Sequence, residues 1–285
     1  MSVPAISHFF TTPDALRLHY LSWGPTEAPP VILLHGLRAY AQTWQALADT
    51  LAPHFRCYAL DQRGRGLSDW APAPSYCTEQ YVADLEAFVE HLGLARLMLV
   101  GHSLGGANAL EYARRNPGRL RALVIEDIGP GSSSSGDGAA RIRREMRDTP
   151  AGFADWEAAR EFWRRARPGI STQALDSRLA HSMCERGGEI AWRHDQQGIA
   201  WARLNLPSAD LWPAVHALDC PTLFIRGGDS DFLPVSTLDS LLAGNPLIRI
   251  RVIEGASHYV HDDQSEAFNH AVVDFLQQQE HGEPL

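Results

Sequence analysis

Residues 97–106 read Leu-Met-Leu-Val-Gly-His-Ser-Leu-Gly-Gly, a short apolar run ending in Gly-x-Ser-x-Gly, and an alanine-rich stretch of helical character follows over residues 107–115. Few patterns constrain a fold more tightly. A strand, a sharp turn with serine at its apex and a helix must succeed one another within a few residues. The turn forces the serine into a strained backbone, and a Cβ at Gly101 or Gly105 would crowd its neighbours. It also lifts the Ser103 hydroxyl clear of the sheet and near a helix N-terminus, whose unpaired N–H groups favour developing negative charge.

The chain on either side repeats the strand–helix rhythm. Residues 16–23, 31–34 and 56–60 read as strands, and residues 43–51 are helical in pattern. Over residues 81–92 the apolar Val82, Leu85, Phe88, Val89 and Leu92 recur at three-to-four spacing, which puts them on one helix face. Another strand is expected at residues 122–125. This alternation predicts an α/β fold, with a mainly parallel sheet covered by helices on both sides.

The rhythm breaks at Gly129-Pro130. Residues 131–138, Gly-Ser-Ser-Ser-Ser-Gly-Asp-Gly, have the composition of a mobile linker. From residue 139 to about 212 no strand stands out, and the segment is rich in Arg, Ala, Glu and Trp. Strands resume at residues 220–225 and 248–253, and a helix over 265–279 closes the chain. The layout predicts a helical insertion between two halves of one sheet.

A chain of 285 residues is long enough for one such domain with an insertion. Its formal net charge of -9 opposes a nucleic-acid-binding role, since nothing offsets phosphate repulsion. Residues 1–10 carry no secretory-signal pattern, and no window approaches the ~18 uninterrupted apolar residues of a membrane span. Cys57, Cys77, Cys184 and Cys220 show no C-x-x-C spacing, which suggests reduced thiols. A cytoplasmic protein with neither membrane nor nucleic acid as partner is expected.

A serine hydroxyl needs a general base within hydrogen-bond reach, itself oriented by a third group. In folds of this type the order is Ser, acid, His, each on a loop beyond a strand's carboxyl end. His258, in Gly255-Ala256-Ser257-His258-Tyr259 after the last strand, is the expected base. The acid is sought in residues 226–234, where Asp231 precedes an apolar pair that would anchor the loop, with Asp229 as the alternative. The backbone N–H groups of Leu104 and Leu37 are the expected oxyanion donors. His35, at a strand end beside glycine, reads as structural, and Arg38 as either a carboxylate ligand or an ion-pair partner. Thirteen histidines include no His-x-x-x-His, so no metal site and no cofactor is expected.

His35-Gly36, Asp61-Gln62-Arg63-Gly64-Arg65-Gly66-Leu67-Ser68, Gly101-His102-Ser103-Leu104-Gly105-Gly106, Asp231 and His258 together resemble the α/β-hydrolase superfamily, most of all its esterase-like members with a helical cap. The resemblance implies a core of residues 1–129 and 213–285, with residues 130–212 as a cap over the active site. Asp61 to Ser68 is then a structural loop without chemistry, and Asp127 stands where some members carry their acid, a third candidate. Arg38, His102, Trp163 and Tyr259 are expected to line the substrate pocket. The arginine clusters within residues 141–147 and 160–167 read as solvated cap-helix faces.

Departures from subfamily patterns narrow the reaction. Ser103 replaces the elbow aspartate expected of dehalogenases and epoxide hydrolases. His35-Gly36-Leu37-Arg38 differs from the His-Gly-Gly-Pro-Gly of proline iminopeptidases and the Ser-Gly-Pro-Gly of many C–C hydrolases. The expectation is a cofactor-independent serine hydrolase of a small ester, thioester or lactone. Its alternatives are a C–C or amide hydrolase, an acyltransferase, or a small-molecule receptor on the same scaffold.

Overall fold

A computed structural model describes residues 2–281. The chain opens with β1 (Ile6–Thr11), β2 (Arg17–Trp23), β3 (Pro30–Leu34), α1 (Gln45–Leu51), β4 (Arg56–Leu60) and α2 (Thr78–His91). The elbow follows as β5 (Leu97–His102) and α3 (Leu104–Arg115), and then β6 (Leu120–Glu126). The next elements are α4 (Gly136–Asp148), β7 (Gly152–Phe153), α5 (Trp156–Ala166), α6 (Thr172–Ser182), β8 (Met183–Arg186), β9 (Glu189–Trp192) and α7 (Gln196–Asn205). The chain returns through α8 (Trp212–His216), β10 (Thr222–Gly227), α9 (Val235–Gly244), β11 (Ile248–Ile253), α10 (Val260–Asp263) and α11 (Ser265–His281).

Eight strands form one sheet in the order β1-β2-β4-β3-β5-β6-β10-β11. Only the first two pairings, β1 with β2 and β2 with β4, are antiparallel. The parallel part has apolar side chains on both faces: β3, β5 and β10 are almost wholly buried. Leu85, Phe88, Leu110 and Phe224 belong to the core on one face, and Trp44, Leu51, Phe268 and Leu276 to that on the other.

From β3 the chain moves outward to β4, then crosses back to β5 on the other side. Strand order therefore reverses between β3 and β5, and their carboxyl ends open a crevice of the kind in which α/β folds hold ligands. The loop at residues 35–38 and Ser103 flank it.

Between β6 and β10 the chain is not purely helical. Strands β7, β9 and β8 form a second, antiparallel sheet, contrary to the expectation of no strand there. The β8–β9 hairpin turns on Gly187 and Gly188, whose φ values of 63° and 86° are those a tight primed turn requires. Trp163, Trp192, Phe153 and Met183 build a small separate core against this sheet. Trp156 and Trp201, by contrast, are exposed.

Candidate active site

The elbow is built as its glycines demand. Ser103 has φ 51° and ψ -115°, a conformation that L-residues rarely adopt. A Cβ on Gly105 would stand 2.2 Å from the Leu34 carbonyl oxygen, and one on Gly101 2.5 Å from that of Gly105. The Ser103 N–H donates to the Glu126 carbonyl at 2.9 Å, which fixes the turn to the end of β6.

His258 Nε2 lies 3.0 Å from Ser103 Oγ, so the expected base reaches the expected nucleophile. The group at the other ring nitrogen is Asp127, with Oδ2 2.7 Å from Nδ1. Asp127 follows β6 directly, is fully buried and has φ 50°. Its Oδ1 accepts from the Gly227 N–H at 3.1 Å, and its Oδ2 accepts from Ser230 Oγ at 2.5 Å.

Asp231 does not take the expected place of the acid. Its carboxylate faces outward and accepts two hydrogen bonds from Arg141 of α4, both 2.8 Å. Those bonds outweigh the opposing effect of burial and hold its pKa below the usual carboxylate value. Asp229 is exposed as well. The loop after β10 turns Ser230 inward to Asp127 and sets the Phe232 ring 4.4 Å from that of His258. Its two aspartates are left on the solvent side.

Leu37 and Leu104 both line the cavity over Ser103. Among the described residues neither backbone N–H donates to another group, so both are available to an incoming oxygen. Gly36 lets the 35–38 loop approach: a Cβ there would meet His102 Nδ1 at 2.6 Å. Arg38, His102, Trp163 and Tyr259 also line this cavity. The Arg38 guanidinium is engaged, however, by Glu145 and by Thr149 Oγ1 at 2.8 Å, so it ties α4 to the core as an ion pair. Arg167, expected on a solvated face, is buried and binds Asp262 at 2.6 Å and Asp263 at 2.7 Å. Its guanidinium carbon lies 3.9 Å from the Tyr259 ring centroid.

Behind the nucleophile, His102, Glu126 and His261 bring one potential ligand atom each within 4.8 Å of one another. Glu126 and His261 are already paired at 2.8 Å, and His102 Nε2 donates to the His258 carbonyl at 3.0 Å. Burial pulls the His261 pKa down, but the charges of Glu126 and Asp262 outweigh it and the result is raised. The Glu126–His261 pair thus braces α10, which follows the His258 loop, against the end of β6, which Asp127 directly follows.

His35 is structural in its contacts: Nδ1–H donates to the Gly36 carbonyl at 2.8 Å, and Nε2 accepts from the Gln62 N–H at 3.1 Å. Accepting at Nε2 needs the neutral ring, and burial lowers its pKa to about 4. Burial likewise lowers His194 to about 3 and His102 well below its ordinary value. Once unfolded, all three protonate near 6.5 and draw protons to the unfolded chain. Stability therefore falls as pH drops from 6.5 toward 4, by about 3 kcal/mol from His35 alone. His261 acts in the opposite sense, stabilising most below pH 6.5, but it stands against these three and against His8 and His181, whose pKa values are also lowered by burial. Melting temperature should drop clearly between pH 7.5 and 5; a flat or rising profile would contradict the neutral histidines.

Comparison with known proteins agrees with this architecture. The family profile described as alpha/beta hydrolase fold matches residues 29–265. An sn-1-specific diacylglycerol lipase of Mus musculus is 28% identical over 89% of this chain and 82% of its own length. A 2-(acetamidomethylene)succinate hydrolase of Mesorhizobium japonicum is also 28% identical, over 87% of this chain and 88% of its own. The crystal structure of an E-2-(acetamidomethylene)succinate hydrolase superposes with a TM-score of 0.87 at 25% identity, covering 96% of this chain and all of the other (100%).

Proposed function

The chain belongs to the α/β-hydrolase family, and from that membership and the geometry above we propose that it is a serine hydrolase working through an acyl-enzyme on Ser103. The observation that carries this reading is the unbroken chain Ser103 Oγ–His258 Nε2 at 3.0 Å and His258 Nδ1–Asp127 at 2.7 Å. His258 takes the hydroxyl proton as Ser103 attacks the substrate carbonyl, and Asp127 fixes the tautomer and stabilises the imidazolium. The Leu37 and Leu104 N–H groups receive the oxyanion. His258 passes its proton to the leaving group, then activates the water that releases the acid. Residues 130–212 act as a cap that shapes the acyl pocket. No step needs a metal or cofactor.

An ester, thioester or lactone is the first substrate class, in keeping with a relative named as a lipase. Amide cleavage is a second reading, in keeping with the 2-(acetamidomethylene)succinate hydrolase among the relatives. Rapid mixing with a p-nitrophenyl ester tests the shared mechanism. An initial burst of about one p-nitrophenol per chain, then steady turnover, is expected wherever release of the acid is the slower step. Absence of turnover on a panel of activated esters and anilides would reject the reading.

A further inference from the structure

The cavity over Ser103 is lined by four arginines whose charges are treated differently. Arg38 is neutralised by Glu145, and Arg178 by Asp262 at 2.8 Å. Among the described residues, neither Arg65 nor Arg203 pairs with a carboxylate. Arg65 is wholly buried. Its Nε donates to the Leu37 carbonyl at 3.0 Å, and its Nη1 donates to the Arg63 carbonyl at 2.7 Å and the Tyr81 hydroxyl at 2.5 Å. Its Nη2 is buried with no hydrogen-bond partner among the described residues.

A buried arginine in this fold can be satisfied without a carboxylate. Arg226 spends Nε, Nη1 and Nη2 on the carbonyls of Leu233, Gly227, Gly228 and Ser230. Arg65 departs from that pattern by one terminal nitrogen, and its hydrogen bonds go to two carbonyls and a hydroxyl, with its charge over the rings of Tyr76 and Tyr81. An uncompensated buried cation with a free donor is costly. A carboxylate arriving from the cavity would supply both the charge and the acceptor.

Helix α7 extends this wall. At its start the Asp195 N–H donates to the Gly64 carbonyl at 2.9 Å and the Asp195 carboxylate accepts from Tyr76, so the helix is seated on the loop that carries Arg65. Ile199, Ala202, Arg203 and Leu206 line the cavity at the spacing of one helix face. Arg203, about two turns along, bonds among the described residues only to Ser208 Oγ and the Ser133 carbonyl. Burial and the Arg143 charge both lower its pKa, the signature of a cation lacking a counter-charge.

We propose that Arg65, with Arg203 along the same wall, forms a subsite for a carboxylate on the substrate, within a few bonds of the scissile carbonyl. The subsite rests on the serine-hydrolase reading, and it selects half-esters of short dicarboxylic acids over neutral esters. Arg65 Nε donates to the carbonyl of Leu37, the residue whose N–H is the proposed oxyanion donor, so succinyl and glutaryl half-esters are the chain lengths to test first.

The test compares p-nitrophenyl hemiglutarate with p-nitrophenyl butyrate. The wild-type chain should favour the hemiglutarate in kcat/KM, and Arg203→Gln and Arg65→Gln should each cut the hemiglutarate-to-butyrate ratio about tenfold or more. Arg65→Gln also loosens the Leu37 loop, but that damage lowers both substrates together and leaves the ratio alone. In parallel, glutarate is titrated calorimetrically into Ser103→Ala protein, where it should bind, and bind more weakly with added salt or without Arg65. Butyrate turnover with an unmoved ratio, or no glutarate binding, overturns the subsite while leaving the hydrolase standing. Glutarate binding without turnover of either ester retains the subsite and rejects the hydrolase.

Discussion

Asp127→Asn lowers kcat on an activated ester by about 10⁴-fold, because asparagine leaves the geometry intact but offers His258 the wrong partner for its Nδ1–H. At Asp127 the effect is compounded by structure. Its two oxygens hold the Gly227 N–H and the Ser230 hydroxyl as well as His258, so the amide would present a donor to a donor. Asp231→Asn is the matched control. That carboxylate is on the solvent side, paired with Arg141, and a partly exposed pair contributes only about 0–1 kcal/mol to stability. Its kcat should stay within about twofold of wild type, since nothing in the reacting chain is touched. Steady-state kinetics of the two variants on one substrate separates the two aspartates. The reverse ranking would restore Asp231 as the acid.

Ser103→Ala has the largest effect, a loss of about 10⁶-fold in kcat, with residual activity from the oxyanion donors and binding alone. Folding is expected to survive. Alanine removes one hydroxyl from a buried site, and the elbow is held by the Ser103 N–H and by its carbonyl, which accepts from the Ala107 N–H at 3.0 Å. Substrate binding should persist in this variant, so KM or a competitive ligand reports an intact cavity. A double variant Ser103→Ala/Asp127→Asn should be barely worse than Ser103→Ala, because residues acting as one unit are far from additive.

The elbow and the base were legible because each is a local pattern. A strand, two glycines at close approaches and a helix fit within about twenty residues, and His258 follows the last strand in a small-residue loop. The acid was not local. Asp231 lies four residues past the end of β10 at Gly227, where loop direction decides which side chain turns inward, and its carboxylate is drawn outward by Arg141 of a distant helix. Asp127 offered a signal of its own: it directly follows an apolar strand, and β6 lies between β5 and β10. That adjacency emerges from sheet order, which a linear reading does not contain.

The insertion hid its sheet for a different reason. Strands β7, β8 and β9 have two, four and four residues, too short to show a period. Gly187-Gly188 between them was nonetheless a readable hairpin turn. Arg65 was not legible because its loop matches a structural motif of the family, and its Nη2 is left unpartnered among the described residues only by the way the folded loops meet.

Fluorophosphonate labelling followed by intact and peptide mass measurement tests the central claim most directly. The account predicts one adduct per chain, located on Ser103, absent in Ser103→Ala, formed far more slowly in Asp127→Asn and at the wild-type rate in Asp231→Asn. An adduct on another residue, no adduct on the folded wild-type chain, or slow labelling of Asp231→Asn with normal labelling of Asp127→Asn would contradict it.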